Sequence, residues 1–427
     1  MKKLLQVKLM LGECLKTLIA QKLRNLSKIE DKKSRKTRQI EICILGVYGK
    51  GNLGDEAILK AVIQDITKKL SRAKIVVFCS NPDMVSRWHR VDAMTRTPFV
   101  QFFKKLGVIY RADVLVLGGG TMLCDDLNWK NDISASAAIM IWPVIASVFG
   151  VPMMVYGQGI GPAEHRITRF AIRLLMCFSD VITLRDMQSM TLASKFGRRR
   201  TPLKTTCDPV VTSAYFQPDQ IRLHIKNSIA ESIQSIYPYT LISLRRPKRG
   251  PLRSWISFYE AFAKAIGHFY RETKSRLVLL PIQISDVYPD DREVLPVIRA
   301  AMLREGVDER ALLDRHWNNI EEAVAILQSA DLVIASRLHA LLIAARAGVA
   351  VLGISYEDKV SGCLEMIGIN SSCNYVSQVD FDVEVASSAM IAAWEKRTKH
   401  RDQILAGVAK WAASTPSNID VLLKTLA

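Results

Sequence analysis

No two of the cysteines, Cys14, Cys43, Cys79, Cys124, Cys177, Cys207, Cys363 and Cys373, stand at CxxC spacing, and several lie inside apolar runs. A zinc site and a disulfide framework are thereby excluded, and the cysteines read as reduced core residues of a cytoplasmic protein. No stretch is taken as a membrane-spanning helix of ~20 residues, so a soluble chain is expected. Internal repeats and low-complexity tracts are absent as well. No His/Cys/Asp cluster has ligand spacing, so neither metal nor cofactor is expected. Acids are scarce at one end, where residues 1–40 hold twelve Lys/Arg against three Asp/Glu and carry half of the net charge of +18.

What is present is the material of two cores. The chain has 427 residues, 49% hydrophobic and 23% charged, which exceeds the length at which one core stops growing, roughly 250 to 300 residues. In the basic segment Leu4, Val7, Leu11, Leu15, Leu18, Ile19, Leu23 and Leu26 recur at helical spacing among lysines. Lys8, Glu13 and Lys16 break the apolar face, so a cleaved secretory signal is not expected. Two readings stand for this helix: peripheral contact with an anionic membrane surface, or a solvated or core-packed extension. No nucleic-acid partner is expected. The charged run Asp31 to Arg38 reads as a linker.

Past residue 39 short apolar runs alternate with longer amphipathic ones, the pattern of βα units on a mostly parallel sheet. Strands are predicted at Ile40–Leu45, Ile75–Cys79, Val114–Leu117, Met153–Tyr156 and Val181–Leu184. After a polar stretch they resume at Thr240–Leu244, Leu277–Leu280, Leu332–Ala335 and Ala350–Ile354. The fold class is therefore α/β, with two Rossmann-like doubly wound domains facing a cleft in a GT-B-like architecture. The expected divisions are 1–38 for the extension and linker, 39–215 for the first domain, 216–238 for an interdomain linker and 239–427 for the second domain. Ligands of such sheets bind at the carboxyl ends of strands.

Those ends carry the informative residues. After the first strand comes Gly49-Lys50-Gly51-Asn52-Leu53-Gly54-Asp55-Glu56. Its glycines fit the dinucleotide fingerprint, but two carboxylates at the helix N-terminus would repel a pyrophosphate, and no acid closes the second strand. Asp55 suits a base on a sugar hydroxyl; the alternative role is a helix cap. Gly118-Gly119-Gly120-Thr121, Gly157-Gln158-Gly159-Ile160-Gly161-Pro162 and Arg185-Asp186 are three further loops expected at the same sheet edge. In the second half Arg245 and Arg246 follow one strand, and Ser336-Arg337-Leu338-His339 follows another, with Ser336 expected as the N-cap. Arg337 and His339 oppose the helix dipole there unless an anion offsets them. Lys359 lies past the next strand.

In this order, Gly51 to Glu56, Gly118 to Thr121, Gly157 to Pro162, Leu184 to Asp186, Asp208-Pro209, Ser336 to His339 and Asp358-Lys359 resemble the segments of polysaccharide pyruvyl transferases. The resemblance covers roughly Ile40 to Gly368. The basic extension lies outside that family's core, and Lys50 stands where the family often has an aromatic or small residue. The resemblance implies phosphoenolpyruvate as donor, a glycan or lipid-linked sugar as acceptor and a pyruvate ketal as product. It implies donor contacts from Arg185, Arg337, His339 and Lys359, and an acceptor-facing Asp55. To these the side chains add Arg245 and Ser336 on the donor, and Gly51, Asn52, Gly54, Glu56, Gly119, Gly120 and Gln158 on the acceptor. His339 is the expected acid and Asp55 the expected base, on the second and first domains respectively, so that domain closure would assemble them. The rival readings are a GT-B glycosyltransferase using a sugar nucleotide, and a non-catalytic membrane-associated scaffold.

Overall fold

The computed structural model describes residues 39–97, 100–125, 133–196, 201–222, 238–245, 252–285, 290–355, 362, 364–368, 375–378 and 380–426. The basic segment, Arg246 and Lys359 lie outside the described residues. Two compact units emerge. One takes the chain through Gly49, then Val62–Asp208 and Pro416–Ala427; the other takes Lys50–Ala61 and Pro209–Thr415. The sequence expectation of one uninterrupted first domain over 39–215 differs in both respects: Lys50–Ala61 leaves for the second unit, and the C-terminal helix returns to the first.

The first unit contains β1 (Glu41–Leu45), β2 (Lys74–Cys79), β3 (Asp92–Thr95), β4 (Val114–Leu117), β5 (Gly120–Leu123), β6 (Met153–Ile160), β7 (Val181–Leu184) and β8 (Leu203–Thr205). Their order is β3-β2-β1-β4-β6-β7-β8 with β5 paired to β6, and every pairing is parallel. The second unit contains β9 (Tyr239–Ser243), β10 (Arg276–Leu279), β11 (Leu312–Asp314), β12 (Leu332–Ala335), β13 (Ala350–Ser355) and β14 (Tyr375–Ser377), ordered β11-β10-β9-β12-β13-β14 and again all parallel. Strands such as β1, β4 and β12 read as unbroken apolar runs because helices bury both sheet faces. In each sheet the order reverses beside its first strand, between β1 and β4 and between β9 and β12, the switch points where such folds bind ligands.

The helices run α1 (Leu53–Lys69), α2 (Pro82–His89), α3 (Phe102–Arg111), α4 (Ile133–Phe149), α5 (Arg166–Phe178), α6 (Met187–Phe196), α7 (Pro209–Thr212), α8 (Pro218–Arg222), α9 (Leu252–Thr273), α10 (Leu295–Arg304), α11 (Ile320–Gln328), α12 (Leu338–Ala345), α13 (Val383–Glu395), α14 (Arg397–Ala413) and α15 (Asn418–Leu426). In α1 acids fill the first turn and lysines the last, matching the helix dipole. No helix among the described residues is long and apolar enough to cross a membrane.

The nine predicted strands are all found, with ends shifted by a residue at most in all but one. The exception is β6, which continues through Gly157-Gln158-Gly159-Ile160 where a loop was expected. Gly120 to Leu123, also expected as loop, is β5, and it pairs with that continuation at Gly120↔Gln158 and Leu123↔Ile160. The two glycine segments satisfy each other's backbone groups as strands, which a period-2 reading misses when the side chains are hydrogens.

Candidate active site

The second unit brings together the N-terminus of α1, the end of β10 and the N-terminus of α12. Gly51 sits at φ +69, where a Cβ would stand 1.7 Å from the Ile284 carbonyl oxygen. Only glycine allows this approach. The Ile284 N–H donates to the Gly51 carbonyl at 2.8 Å and the Leu53 N–H to the Ile282 carbonyl at 2.9 Å, making a short antiparallel strip around Asn52 and Gln283. Asn52 caps α1, its Oδ1 accepting the Gly54 N–H at 2.9 Å. Asp55 therefore lies inside the first turn and is not the cap.

Gly54 makes the seat of His339. A Cβ there would fall 2.4 Å from Nδ1 and 2.8 Å from Cγ of the imidazole, so the ring rests directly on the helix backbone. Asp55, partly buried, is the next residue. Burial pushes its carboxyl up to about 6; Glu56 adds to the rise, while His339, Arg337 and Lys50 draw it down. Carboxyls perturbed in this way cluster at functional sites. Glu56 is wholly buried, and one turn on, Lys60 meets Glu321 at 3.0 Å, with Tyr215 donating to the same carboxylate.

Arg337 is held by a residue that the sequence did not single out. Its Nη2 donates to Asp291 Oδ1 at 2.5 Å and its Nε to Oδ2 at 3.2 Å. Oδ2 also accepts the N–H groups of Ile282 and Gln283 at 3.2 and 2.9 Å. Asp291, 1% exposed, thus ties the guanidinium to the strip that carries Gly51. Asp290-Asp291 was visible as an acidic pair, but nothing in the sequence names the distant arginine that it meets. Ser336 is not the N-cap of α12; Arg337 is. The reason is that Ser336 is committed to the sheet end, where its N–H donates to Ser243 and its Oγ accepts the Arg245 N–H at 2.9 Å.

The first unit holds the remaining candidates. Arg185 is buried, donating from Nη1 to Asp208 at 2.9 Å and from Nη2 to Thr121 at 3.0 Å, with Asp186 at 3.6 Å. A Cβ on Gly159 would meet the guanidinium at 2.9 Å. Gln158 Nε2 donates to the Gly120 carbonyl at 2.8 Å, and Gly119 precedes that strand. The structure thus gathers Gly51, Asn52, Gly54, Asp55, Glu56, Arg245, Ser336, Arg337 and His339 in one unit, and Gly119, Gly120, Gln158 and Arg185 in the other.

The sequence model of polysaccharide pyruvyl transferases matches residues 52–358, from the cap of α1 past His339. The chain belongs to the polysaccharide pyruvyl transferase family. It is an enzyme of that type. The amylovoran biosynthesis protein AmsJ of Erwinia amylovora is 21% identical over 379 residues, covering 77% of this chain and 86% of that protein. HepE of Anabaena, solved in complex with UDP, has a TM-score of 0.57 at 13% identity, covering 90% of this chain and 98% of that one. UDP-GlcNAc 2-epimerase of Neisseria meningitidis, bound to UDP-GlcNAc, has a TM-score of 0.59 at 10% identity, covering 91% and 99%. At these identities the likeness to the pyruvyl transferase is one of fold, the GT-B-like class that the βα pattern led to.

Proposed function

We propose that the enzyme moves the pyruvyl group of phosphoenolpyruvate onto two hydroxyls of a sugar in a polysaccharide or lipid-linked precursor, forming a ketal and releasing phosphate. The observation that carries this reading is the seating of His339 on Gly54 beside Asp55 and Arg337 within one unit. An acid, a base and a guanidinium then share one site at a helix N-terminus, which is what an anionic enol phosphate requires.

In this scheme His339 donates a proton to the methylene carbon, which becomes a methyl group as the adjacent carbon takes on oxocarbenium character. A sugar hydroxyl forms the first C–O bond to that carbon and yields its proton to Asp55. Phosphate departs with the electrons of its C–O bond and takes the proton held by Asp55, and a second hydroxyl closes the ketal, its proton returning to His339. Arg337, held by Asp291, and the first N–H groups of α12 face the donor's anionic groups; Arg245, Ser336, Lys359 and Arg185 complete the proposed donor set. Gly51, Asn52, Gly54, Glu56, Gly119, Gly120 and Gln158 are proposed to face the acceptor. Incubating the purified enzyme with phosphoenolpyruvate and a crude glycolipid acceptor should release phosphate only when both are present. Nucleotide release from a UDP-sugar, without any response to phosphoenolpyruvate, would instead favour the sugar-nucleotide reading.

A further inference from the structure

One helix layer of the first unit carries a surface that pyruvyl transfer does not use. Helices α3, α4 and α5 cover one face of the sheet, α4 packing against both neighbours. Their inner sides give Leu106, Ile109, Trp142, Ile145, Ile172 and Leu175 to the core. Their outer sides are unusual. Four of the eight large apolar side chains exposed among the described residues fall here: Val100 just before α3 and Phe103 at its start, Ile167 and Phe170 at the start of α5. Each is about half exposed, and exposed cations stand beside them, Lys104 on α3 and Arg166 and Arg173 on α5.

The three helices contain no Asp or Glu, and α4 carries no charge at all. Arg173 also lies over the Phe196 ring at 5.8 Å, while Lys105 is buried, Arg111 meets Glu41 at 3.8 Å, and Arg169 donates to the Glu164 carbonyl at 2.8 Å. Of the acids described in the adjoining loops, Asp113 accepts the Glu41 N–H at 2.9 Å, and Asp125 accepts the N–H groups of Glu164 and His165 at 2.6 and 3.2 Å. Asp180 accepts the Met153 N–H at 2.8 Å, and Glu164 is exposed. The outward charge of the helices themselves is thus of one sign.

We propose that this face seats on an anionic lipid bilayer, with Val100, Phe103, Ile167 and Phe170 entering the headgroup region and Lys104, Arg166 and Arg173 meeting lipid phosphates. Aromatic and aliphatic side chains flanked by Arg and Lys are the composition of an interfacial surface. A uniformly negative plane complements a uniformly positive face. A protein partner would call for a charge-depleted centre, with Lys in particular disfavoured. The proposal is separate from the N-terminal basic segment, and vesicle binding reads no turnover, so it stands or falls apart from the pyruvyl reading.

The test is sedimentation of the full chain with vesicles of phosphatidylglycerol and phosphatidylcholine, against phosphatidylcholine alone. Binding should require the anionic lipid and weaken at high salt. The combined variant Phe103→Ser, Ile167→Ser, Phe170→Ser should lose ~10-fold or more of its affinity for the anionic vesicles. Its circular dichroism and its phosphate release with a soluble acceptor should stay unchanged. Arg166→Glu with Arg173→Glu should weaken binding likewise. Three results would overturn the proposal: a wild-type chain that ignores anionic vesicles, variants that bind as well as wild type, or variants that lose only self-association of the protein.

Discussion

A methyl group added at Gly54 would stand 2.4 Å from His339 Nδ1, well inside any tolerable contact, so Gly54→Ala must move the ring or the helix. Alanine is the better helix former by ~1 kcal/mol, so the melting temperature should change little while turnover falls by up to ~10²-fold, the effect of misplacing a catalytic group by about an ångström. Asp55 gives a pH signature. Its carboxyl, raised to about 6 by burial, is protonated below that value and ionised above it, so a base in this role should produce a rate that climbs as pH rises through about 6. Asp55→Asn should lower turnover by ~10²-fold or more, abolish that limb and leave donor affinity near wild type. The same shift affects stability with a definite sign. Between the ordinary carboxyl value near ~4 and about 6 the folded state holds a proton that the unfolded chain has lost, so folding weakens as pH rises across this window. Thermal melts should therefore show Asp55→Asn gaining on wild type at pH 8 relative to pH 4. Asn52 and Asp55 also show where sequence reading stops. A carboxylate near a helix start has two roles on paper, cap or base, and the cap role falls to Asn52, whose Oδ1 accepts the Gly54 N–H.

Between elements the strip Gly51–Leu53 against Ile282–Ile284 and the Asp291–Arg337 pair act as one joint, because Asp291 Oδ2 accepts from both partners. Asp291→Ala leaves Arg337 without its carboxylate in a site where its side chain is 11% exposed. It also strips two backbone N–H groups of their acceptor. Breaking such a pair from one side costs about 3 to 5 kcal/mol, which chemical denaturation of the variant should register as a large drop in midpoint. Arg337→Lys keeps the charge but not the fork, so it should fold better than Asp291→Ala while still losing donor affinity, measured as a raised KM for phosphoenolpyruvate. Strands with β-branched, continuous apolar runs were legible from the sequence to within a residue, since both faces are buried and their pattern is unmistakable. The continuation of β6 through Gly157 and Gly159, and β5 beginning at Gly120, were not, because glycine gives no face to read.

Across the whole molecule the family segments appear in one order along the chain, and that order led to the family, as the βα alternation led to the fold class. It did not lead to the grouping. Lys50–Ala61 follows a first-unit strand in sequence, so Asp55 was expected on the first domain, whereas its contacts belong with the second unit and with His339. Only the tertiary strip to Ile282–Ile284 reveals this, and strand spacing carries no trace of it. The proposed acid and base thus lie inside one unit, and their pairing does not require domain closure. The most direct test of pyruvyl transfer is to run the reaction in deuterium oxide with phosphoenolpyruvate and a defined sugar acceptor, and to examine the product by mass spectrometry and proton NMR. The account predicts an acceptor that has gained pyruvate less one water, with a ketal methyl group carrying one solvent deuterium and one phosphate released per product. An acceptor left unmodified by phosphoenolpyruvate, and altered only when a UDP-sugar is supplied, would contradict it.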